Sequence, residues 1–304
     1  MKDKRVIVGL TASRSLAKEI AKINNIEYFD SRTTIFADGE TRTSIEPEVK
    51  GREVFLVQST NTPVNDNLME LLIGIDATKR IGVKSINVVI PYYGYGRQDR
   101  MTKWGRPVSA ELKANLIIAA GADKVYLIDI HSKATLNFFN DKAKNISAIP
   151  YLTRKFKEMN VDNLIVVSPD HGGVERAKEA ARILKTNLAI IKKIRISINK
   201  ATAKDIDGDV NGKNVLIVDD MVDTAGTIST AINLLKKSGA KDVYVMATHA
   251  LLTDKDKEEG WPLNRMVRAG IKKFITTDTV YKDWEKEEMI VYSAAPVISE
   301  LLFK

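Results

Sequence analysis

Residues 215–227 read Val215-Leu216-Ile217-Val218-Asp219-Asp220-Met221-Val222-Asp223-Thr224-Ala225-Gly226-Thr227, and the rest of the chain makes most sense as their support. The apolar run 215–218 predicts a strand buried on both faces of a parallel sheet. Asp219 and Asp220 sit where that strand should end. Beyond Thr227, Ile228, Ile232, Leu234 and Leu235 fall on one face of a helix. A strand, a turn of small residues and a helix form a phosphate cradle. Backbone N–H groups point into one concavity, the Thr hydroxyls add donors, and the helix N-terminus faces the same anion. Carboxylates repel phosphate, so Asp219 and Asp220 suit sugar hydroxyls or a bridging Mg²⁺. Together these groups suggest a ribose phosphate. Asp-Thr-Ala-Gly-Thr is also ordinary turn and N-cap chemistry; the hydrophobic strand and the acid pair favour the ligand reading.

A second strand–loop–helix lies upstream. Leu164 to Ser168 predicts a strand that runs into Pro169-Asp170-His171-Gly172-Gly173, and a helix follows through Val174, Ala177, Ala180 and Ala181. Two glycines there make a second anion nest, with Asp170 placed to ligate Mg²⁺. A tight turn is the structural alternative. Leu188 to Ile191 is another strand, followed by Lys192-Lys193-Ile194-Arg195. If that segment is extended, Lys193 and Arg195 share one side, as a solvated basic edge or as cations closing over transferring phosphates. From Ser197 to Gly212 the pattern is polar with little periodicity and predicts a mobile loop.

Three segments repeat one design: KRIGVKSINVVIP, IAAGADKVYLIDIH and KKSGAKDVYVMATH each run helix end, Gly, basic residue, strand. Each supplies a crossover helix and a parallel strand. Two similar α/β domains are expected, residues 1–143 and 144–304, with the last residues packing on the first domain.

In the first half, Phe36-Ala37-Asp38-Gly39-Glu40 marks a turn. The strand Ile86 to Ile90 ends in Pro91-Tyr92-Tyr93-Gly94-Tyr95-Gly96-Arg97-Gln98-Asp99. His131, His171 and His249, the three histidines of the chain, each fall just past a predicted strand end, the edge where open α/β sheets bind ligands. Asp254 to Gly270 is charged and helix-like.

Composition bounds the function. The 304 residues are 44% hydrophobic and 28% charged, without cysteine. That excludes a disulfide framework and a thiolate zinc site. No apolar run approaches a membrane span, and MKDKRVIVGL turns strand-like too quickly for a signal peptide. No membrane partner and a cytoplasmic location are expected. Lys and Arg exceed Asp and Glu by 47 to 39, a net +8. The cations are spread and not interleaved with aromatics, so no nucleic acid is expected; phosphorylated small molecules account equally well for the sign.

The stretches FADGE, PYYGYGRQD, SPDHGG, Lys-x-Arg and VDDMVDTAGT, in family order and over nearly the full length, resemble those of ribose-phosphate diphosphokinases, in the type I phosphoribosyltransferase superfamily. The resemblance implies two similar phosphoribosyltransferase-type, Rossmann-like domains, each a mainly parallel sheet flanked by helices. It implies Mg²⁺-dependent transfer of the β,γ-diphosphate of ATP to the anomeric hydroxyl of ribose 5-phosphate. It assigns Asp219, Asp220, Asp223, Thr224, Ala225, Gly226 and Thr227 to ribose 5-phosphate. Asp170, His171, Gly172 and Gly173 form the pyrophosphate loop. Phe36, Asp38, Glu40, Arg97, Gln98, Asp99 and His131 belong to the ATP site. His131 and Asp170 contact the metal, and Lys193 and Arg195 are catalytic. It also implies a dimer-based homo-oligomer, up to a hexamer, with an ATP site that borrows the FADGE stretch from a neighbour.

The chain departs from the family pattern at Trp104-Gly105-Arg106-Pro107, at Lys192 to Ile196, and at its last residues, Leu301 to Lys304. These leave open a larger acceptor such as ADP-ribose. A phosphoribosyltransferase would not need FADGE and RQD; a non-catalytic regulatory homologue would not need Lys193, Arg195, Asp170 and His131.

Overall fold

The computed structural model describes residues 4–197, 200–253, 262–280 and 286–303, with side chains outside 193–204. The chain forms two compact units. The first comprises Met1–Ser147, Thr279–Tyr281 and Ser293–Lys304, the second Ala148–Asp278 and Lys282–Tyr292.

The first unit contains β1 (Arg5–Gly9), α1 (Arg14–Asn24), β2 (Glu27–Asp30), β3 (Arg32–Ile35), β4 (Thr41–Ser44), β5 (Glu53–Val57), α2 (Val64–Ile81), β6 (Ser85–Ile90), α3 (Ser109–Ala120), β7 (Lys124–Ile128) and β8 (Ala143–Ile146). Its six-stranded sheet is ordered β2-β1-β5-β6-β7-β8, and β3 and β4 form a separate antiparallel hairpin. Every neighbouring pair in the larger sheet is parallel.

The second unit contains α4 (Ile149–Lys157), β9 (Leu164–Ser168), α5 (Val174–Leu184), β10 (Leu188–Ser197), β11 (Lys200–Asp207), β12 (Asn214–Val222), α6 (Gly226–Lys237), β13 (Val243–Ala250), α7 (Pro262–Arg268), β14 (Ile271–Thr277) and β15 (Met289–Tyr292). Its sheet is ordered β11-β10-β9-β12-β13-β14-β15. Leaving aside the β3–β4 hairpin and β11, both units have the same strand order, second-first-third-fourth-fifth-sixth. The two-domain α/β architecture read from the repeats is therefore present. The repeated glycines do one job: Gly82, Gly121 and Gly239 follow α2, α3 and α6 with φ of 81°, 126° and 87°, where a Cβ would be strained.

The predicted strand at 215–218 is buried on both faces. Val215 and Ile217 pack with Ile228 and Ile232 of α6, while Leu216 and Val218 pack with Leu152 and Phe156 of α4 and Ala177 of α5. Each such side chain contributes about 1.5–3 kcal/mol of burial, so this register resists slippage.

Three sequence expectations need correction. β12 continues through the acid pair to Val222 because β13 runs alongside, pairing Asp219 with Ala247 and Met221 with His249. His249 accordingly lies inside β13, 1% exposed, and not past its end. Residues 200–207, expected in a mobile loop, form β11, antiparallel to β10. An edge hairpin needs only period-2 alternation on a short polar pair, a weak signal in sequence. Of the helix-like stretch Asp254 to Gly270, α7 forms the described part, and 254–261 lie outside the described residues.

The last helix, α8 (Ala295–Phe303), belongs to the first unit. It packs on α1, where Asn24 Nδ2 donates to Ser299 Oγ at 2.8 Å. Phe303 meets Phe55 edge-on at 4.9 Å and lies 5.2 Å from the Arg5 guanidinium. No helix among the described residues is long and apolar enough to cross a membrane.

Candidate active site

In an open parallel sheet, ligands gather at the carboxyl ends of strands where the strand order reverses. In the second unit that point lies between β9 and β12, and the Asp170 loop and the Asp219–Thr227 stretch both issue from it. Ala225 adopts φ 59°, ψ 4° and caps α6 without a side-chain hydrogen bond. The left-handed position thus falls on Ala225, with Gly226 as the first helical residue. Gly226 and Thr227 are exposed, and the N–H groups of a first helical turn have no intrahelical acceptor. Arg265 Nη1 donates to Thr224 O at 3.1 Å and pins the turn from α7.

The acid pair is held by a residue that sequence reading passed over. Arg176 Nη1 on α5 reaches Asp219 Oδ1 at 2.8 Å and Asp220 Oδ1 at 3.3 Å. Asp220 N–H also donates to Asp219 Oδ1 at 2.8 Å. Burial pushes the Asp219 carboxyl well above the usual carboxylate range, and Asp220 beside it pushes the same way; the Arg176 guanidinium opposes both. Asp223 accepts from Thr253 Oγ1.

In the loop after β9, Gly173 N–H donates to Asp170 Oδ1 at 3.0 Å, and Ser168 Oγ donates to Asp170 O at 2.7 Å. The Gly173 donor is thus used within the loop, while His171 and Gly172 are exposed. A Cβ on Gly173 would lie 3.0 Å from Ser168 Oγ and 3.4 Å from Arg176 Nη1. A side chain there would push Ser168 Oγ or Arg176 aside by a few tenths of an ångström.

In the first unit, Arg97, Gln98, Asp99 and His131 converge on one cleft of about 570 Å³, together with Arg100 and Arg106. This cleft lies beyond β6 and β7, away from the reversal point between β1 and β5. Gln98 is fixed from α3: Ser109 Oγ donates to its Oε1 at 2.7 Å and Ala110 N–H to its carbonyl at 3.1 Å.

Phe36, Asp38 and Glu40 do not line that cleft; they form the tip of the β3–β4 hairpin. Phe36 N–H donates to Glu40 O at 2.8 Å, and Glu40 N–H to Asp38 Oδ1 at 3.0 Å. The base of the hairpin is anchored by Glu70 of α2, 3% exposed. Its carboxylate accepts from Thr33 Oγ1 (2.7 Å), Gln58 Nε2 (2.7 Å), Thr11 N–H (3.1 Å) and Thr11 Oγ1. Its place on the helix face of Leu71, Gly74 and Ile75 was the signal available in sequence.

The side chains of Lys193 and Arg195 lie outside the described residues; their backbone runs in β10. Among the described residues no three of His, Asp or Glu come together as a metal site. A Mg²⁺ carried on substrate phosphates needs only one or two protein carboxylates, and exposed Asp170 is of that kind.

Known proteins resemble this chain in sequence and fold over nearly its whole length. Residues 5–121 match the N-terminal domain of ribose phosphate pyrophosphokinase, and residues 141–282 the phosphoribosyl transferase domain. The ribose-phosphate pyrophosphokinase of Bacillus caldolyticus is 41% identical over 298 residues, 97% of this chain and 93% of that protein. Ribose-phosphate pyrophosphokinase 2 of Enterococcus faecalis is 44% identical over 277 residues, 90% of this chain and 84% of that protein. The crystal structure of phosphoribosylpyrophosphate synthetase from Mycobacterium smegmatis matches with a TM-score of 0.88 at 34% identity, covering 98% of this chain and 97% of that one. With both halves matched in order and relatives aligned over nearly its full length, the chain belongs to the ribose-phosphate pyrophosphokinase family of enzymes.

Proposed function

We propose that this enzyme transfers the β,γ-diphosphate of ATP to the anomeric hydroxyl of ribose 5-phosphate, giving phosphoribosyl diphosphate and AMP. The observation that carries the reading is the reversal point of the second unit, where an acid pair held by Arg176 stands beside the open N-terminus of α6. Thr224, Thr227 and the α6 N–H groups hold the 5-phosphate. Asp219, Asp220 and Asp223 orient the sugar hydroxyls, and the 170–173 loop takes the diphosphate. The anomeric oxygen bonds to the β-phosphorus as the bond from that phosphorus to the AMP oxygen breaks, AMP leaves with that oxygen, and the proton of the hydroxyl passes to solvent. Lys193 and Arg195 stabilise the charge that develops on the transferring phosphates.

Asp170 of the diphosphate loop and, separately, His131 of the ATP cleft would each contact Mg²⁺, which supplies charge neutralisation of the phosphates when bound. The ATP site comprises Arg97, Gln98, Asp99 and His131 with Phe36, Asp38 and Glu40. Because the hairpin tip is acidic and aromatic and the cleft carries Arg97, Arg100 and Arg106, we assign the tip of one copy to the cleft of another in a homo-oligomer. The setting is cytoplasmic. The test is product analysis with Mg²⁺-ATP and either ribose 5-phosphate or ADP-ribose. AMP and phosphoribosyl diphosphate from ribose 5-phosphate are expected. AMP with ADP-ribose alone overturns the acceptor, and AMP with neither overturns the reaction.

A further inference from the structure

Lys113 of α3 is 1% exposed, and among the described residues no carboxylate pairs with it. Its Nζ donates to Thr60 Oγ1 at 2.5 Å and to Gly94 O at 3.1 Å, and lies 3.7 Å from the Tyr93 ring centroid. Thr60 follows β5 and Gly94 follows β6, so one side chain ties together the loops of two neighbouring strands. Around it the lacing is dense. Thr60 Oγ1 also accepts from Gly94 N–H at 2.9 Å and donates to Tyr92 O at 3.0 Å, while Thr60 N–H donates to Tyr92 O at 2.9 Å. A Cβ on Gly94 would overlap Thr60 O. Tyr93 Oη donates to Ala110 O at 2.9 Å. The helix α3 therefore grips the loop at Tyr93, Gly94 and Gln98, on both sides of Arg97.

Stability alone does not explain this lysine. Burial holds its ammonium well below the usual range, with no opposing charge to offset the cost. An apolar side chain of the same length would fill the space without that cost. What only the amine supplies is two donors aimed at two different loops.

We propose that Lys113 is a positioning residue that sets the place of Arg97 and Gln98 and thereby the affinity for the adenine nucleotide. The nucleotide part rests on the function proposed above; the bracing does not. The test is Lys113→Met in the full chain, with thermal melting, amide exchange and steady-state kinetics. Expected are a melting temperature equal to or above wild type and faster exchange at Gly94, Gly96 and Gln98. KM for ATP rises roughly tenfold, since sub-ångström misplacement carries losses of that order, while kcat and KM for ribose 5-phosphate stay within about twofold. A uniform loss of kcat with unchanged KM, or unchanged exchange, overturns the proposal. Thr60→Val, which removes the shared acceptor and leaves Lys113 in place, should give the same changes in exchange and in KM for ATP, with a lowered melting temperature because buried donors are stranded. The exchange and KM effects of the two changes should be non-additive in the double variant; additive effects also overturn it. If the wild type forms no AMP, the reaction assignment falls while the exchange data still decide the bracing.

Discussion

Arg176 Nη1 sits 2.8 Å from Asp219 Oδ1 and 3.3 Å from Asp220 Oδ1, so one guanidinium from the helix of the glycine loop clamps both acids of β12. The two loops that meet at the reversal point are thus a single mechanical unit. Replacing Arg176 with Met leaves the buried Asp220 and the mostly buried Asp219 side by side without this counter-charge. We expect loss of about 3 kcal/mol of stability or more and at least a hundredfold drop in kcat/KM for ribose 5-phosphate. Denaturant unfolding and steady-state kinetics measure both.

The acid pair also predicts a pH dependence. The folded pKa of Asp219 is raised, first by burial and then by Asp220. The native state therefore holds its proton to higher pH than the unfolded chain. The sign follows: stability from this group is greatest below the unfolded carboxylate range of about 4 and declines as pH rises through the folded value. Asp219→Asn should melt higher than wild type at neutral pH, with the gap closing toward pH 4, while catalysis is lost. A gap that widens on acidification would contradict the assignment.

Ala225 holds φ 59° at the head of α6, a conformation that costs an L-residue about 1–2 kcal/mol. Ala225→Gly should raise stability by about 0.5–1 kcal/mol. Ala225→Val should lower it and weaken ribose 5-phosphate binding, because a β-branched side chain drives the turn out of the left-handed region. Calorimetry with and without ribose 5-phosphate separates the two effects.

Glu70 accepts four hydrogen bonds from three segments. Glu70→Ala strands those donors and should cost about 2–4 kcal/mol. Because Thr33 lies in the hairpin that carries Phe36, Asp38 and Glu40, the surviving protein should show a raised KM for ATP and an unchanged KM for ribose 5-phosphate. Equal changes in both would detach Glu70 from the hairpin's role.

Lys193→Ala and Arg195→Ala should each lower kcat about a hundred- to a thousandfold, the loss seen when one transition-state donor is removed. Circular dichroism should stay unchanged. A near-normal kcat in either variant would remove that residue from the chemistry.

How much of this was legible in sequence depended on how local the signal was. The strand at Val215–Val218 announced itself because four consecutive apolar, β-branched-rich residues followed by a turn of small residues suit a strand covered on both faces. Gly82, Gly121 and Gly239 exposed the repeat because one backbone turn demands them each time. The β10–β11 hairpin was missed because an edge pair needs little hydrophobic patterning. Arg176, Glu70 and Lys113 were missed for a shared reason. Each is a charged residue on a helix, and a charge on the core-facing side is visible only once the partner arrives from a distant segment. His249 looked like a ligand at a strand end because the length of β13 is set by its neighbours β12 and β14 and not by its own residues.

The return of α8 to the first unit has a consequence for how the protein is made. A ribosome delivers β1 to β8 first, yet Phe55, Arg5 and Asn24 find Phe303 and Ser299 only after residues 148–292 have been threaded. At about 5–20 residues per second that interval is roughly seven to thirty seconds. For that time the flank of α1 and β5 that α8 will cover stays bare on the nascent chain. The first half of this enzyme is thus born unfinished, and its completion is timed by the synthesis of the second.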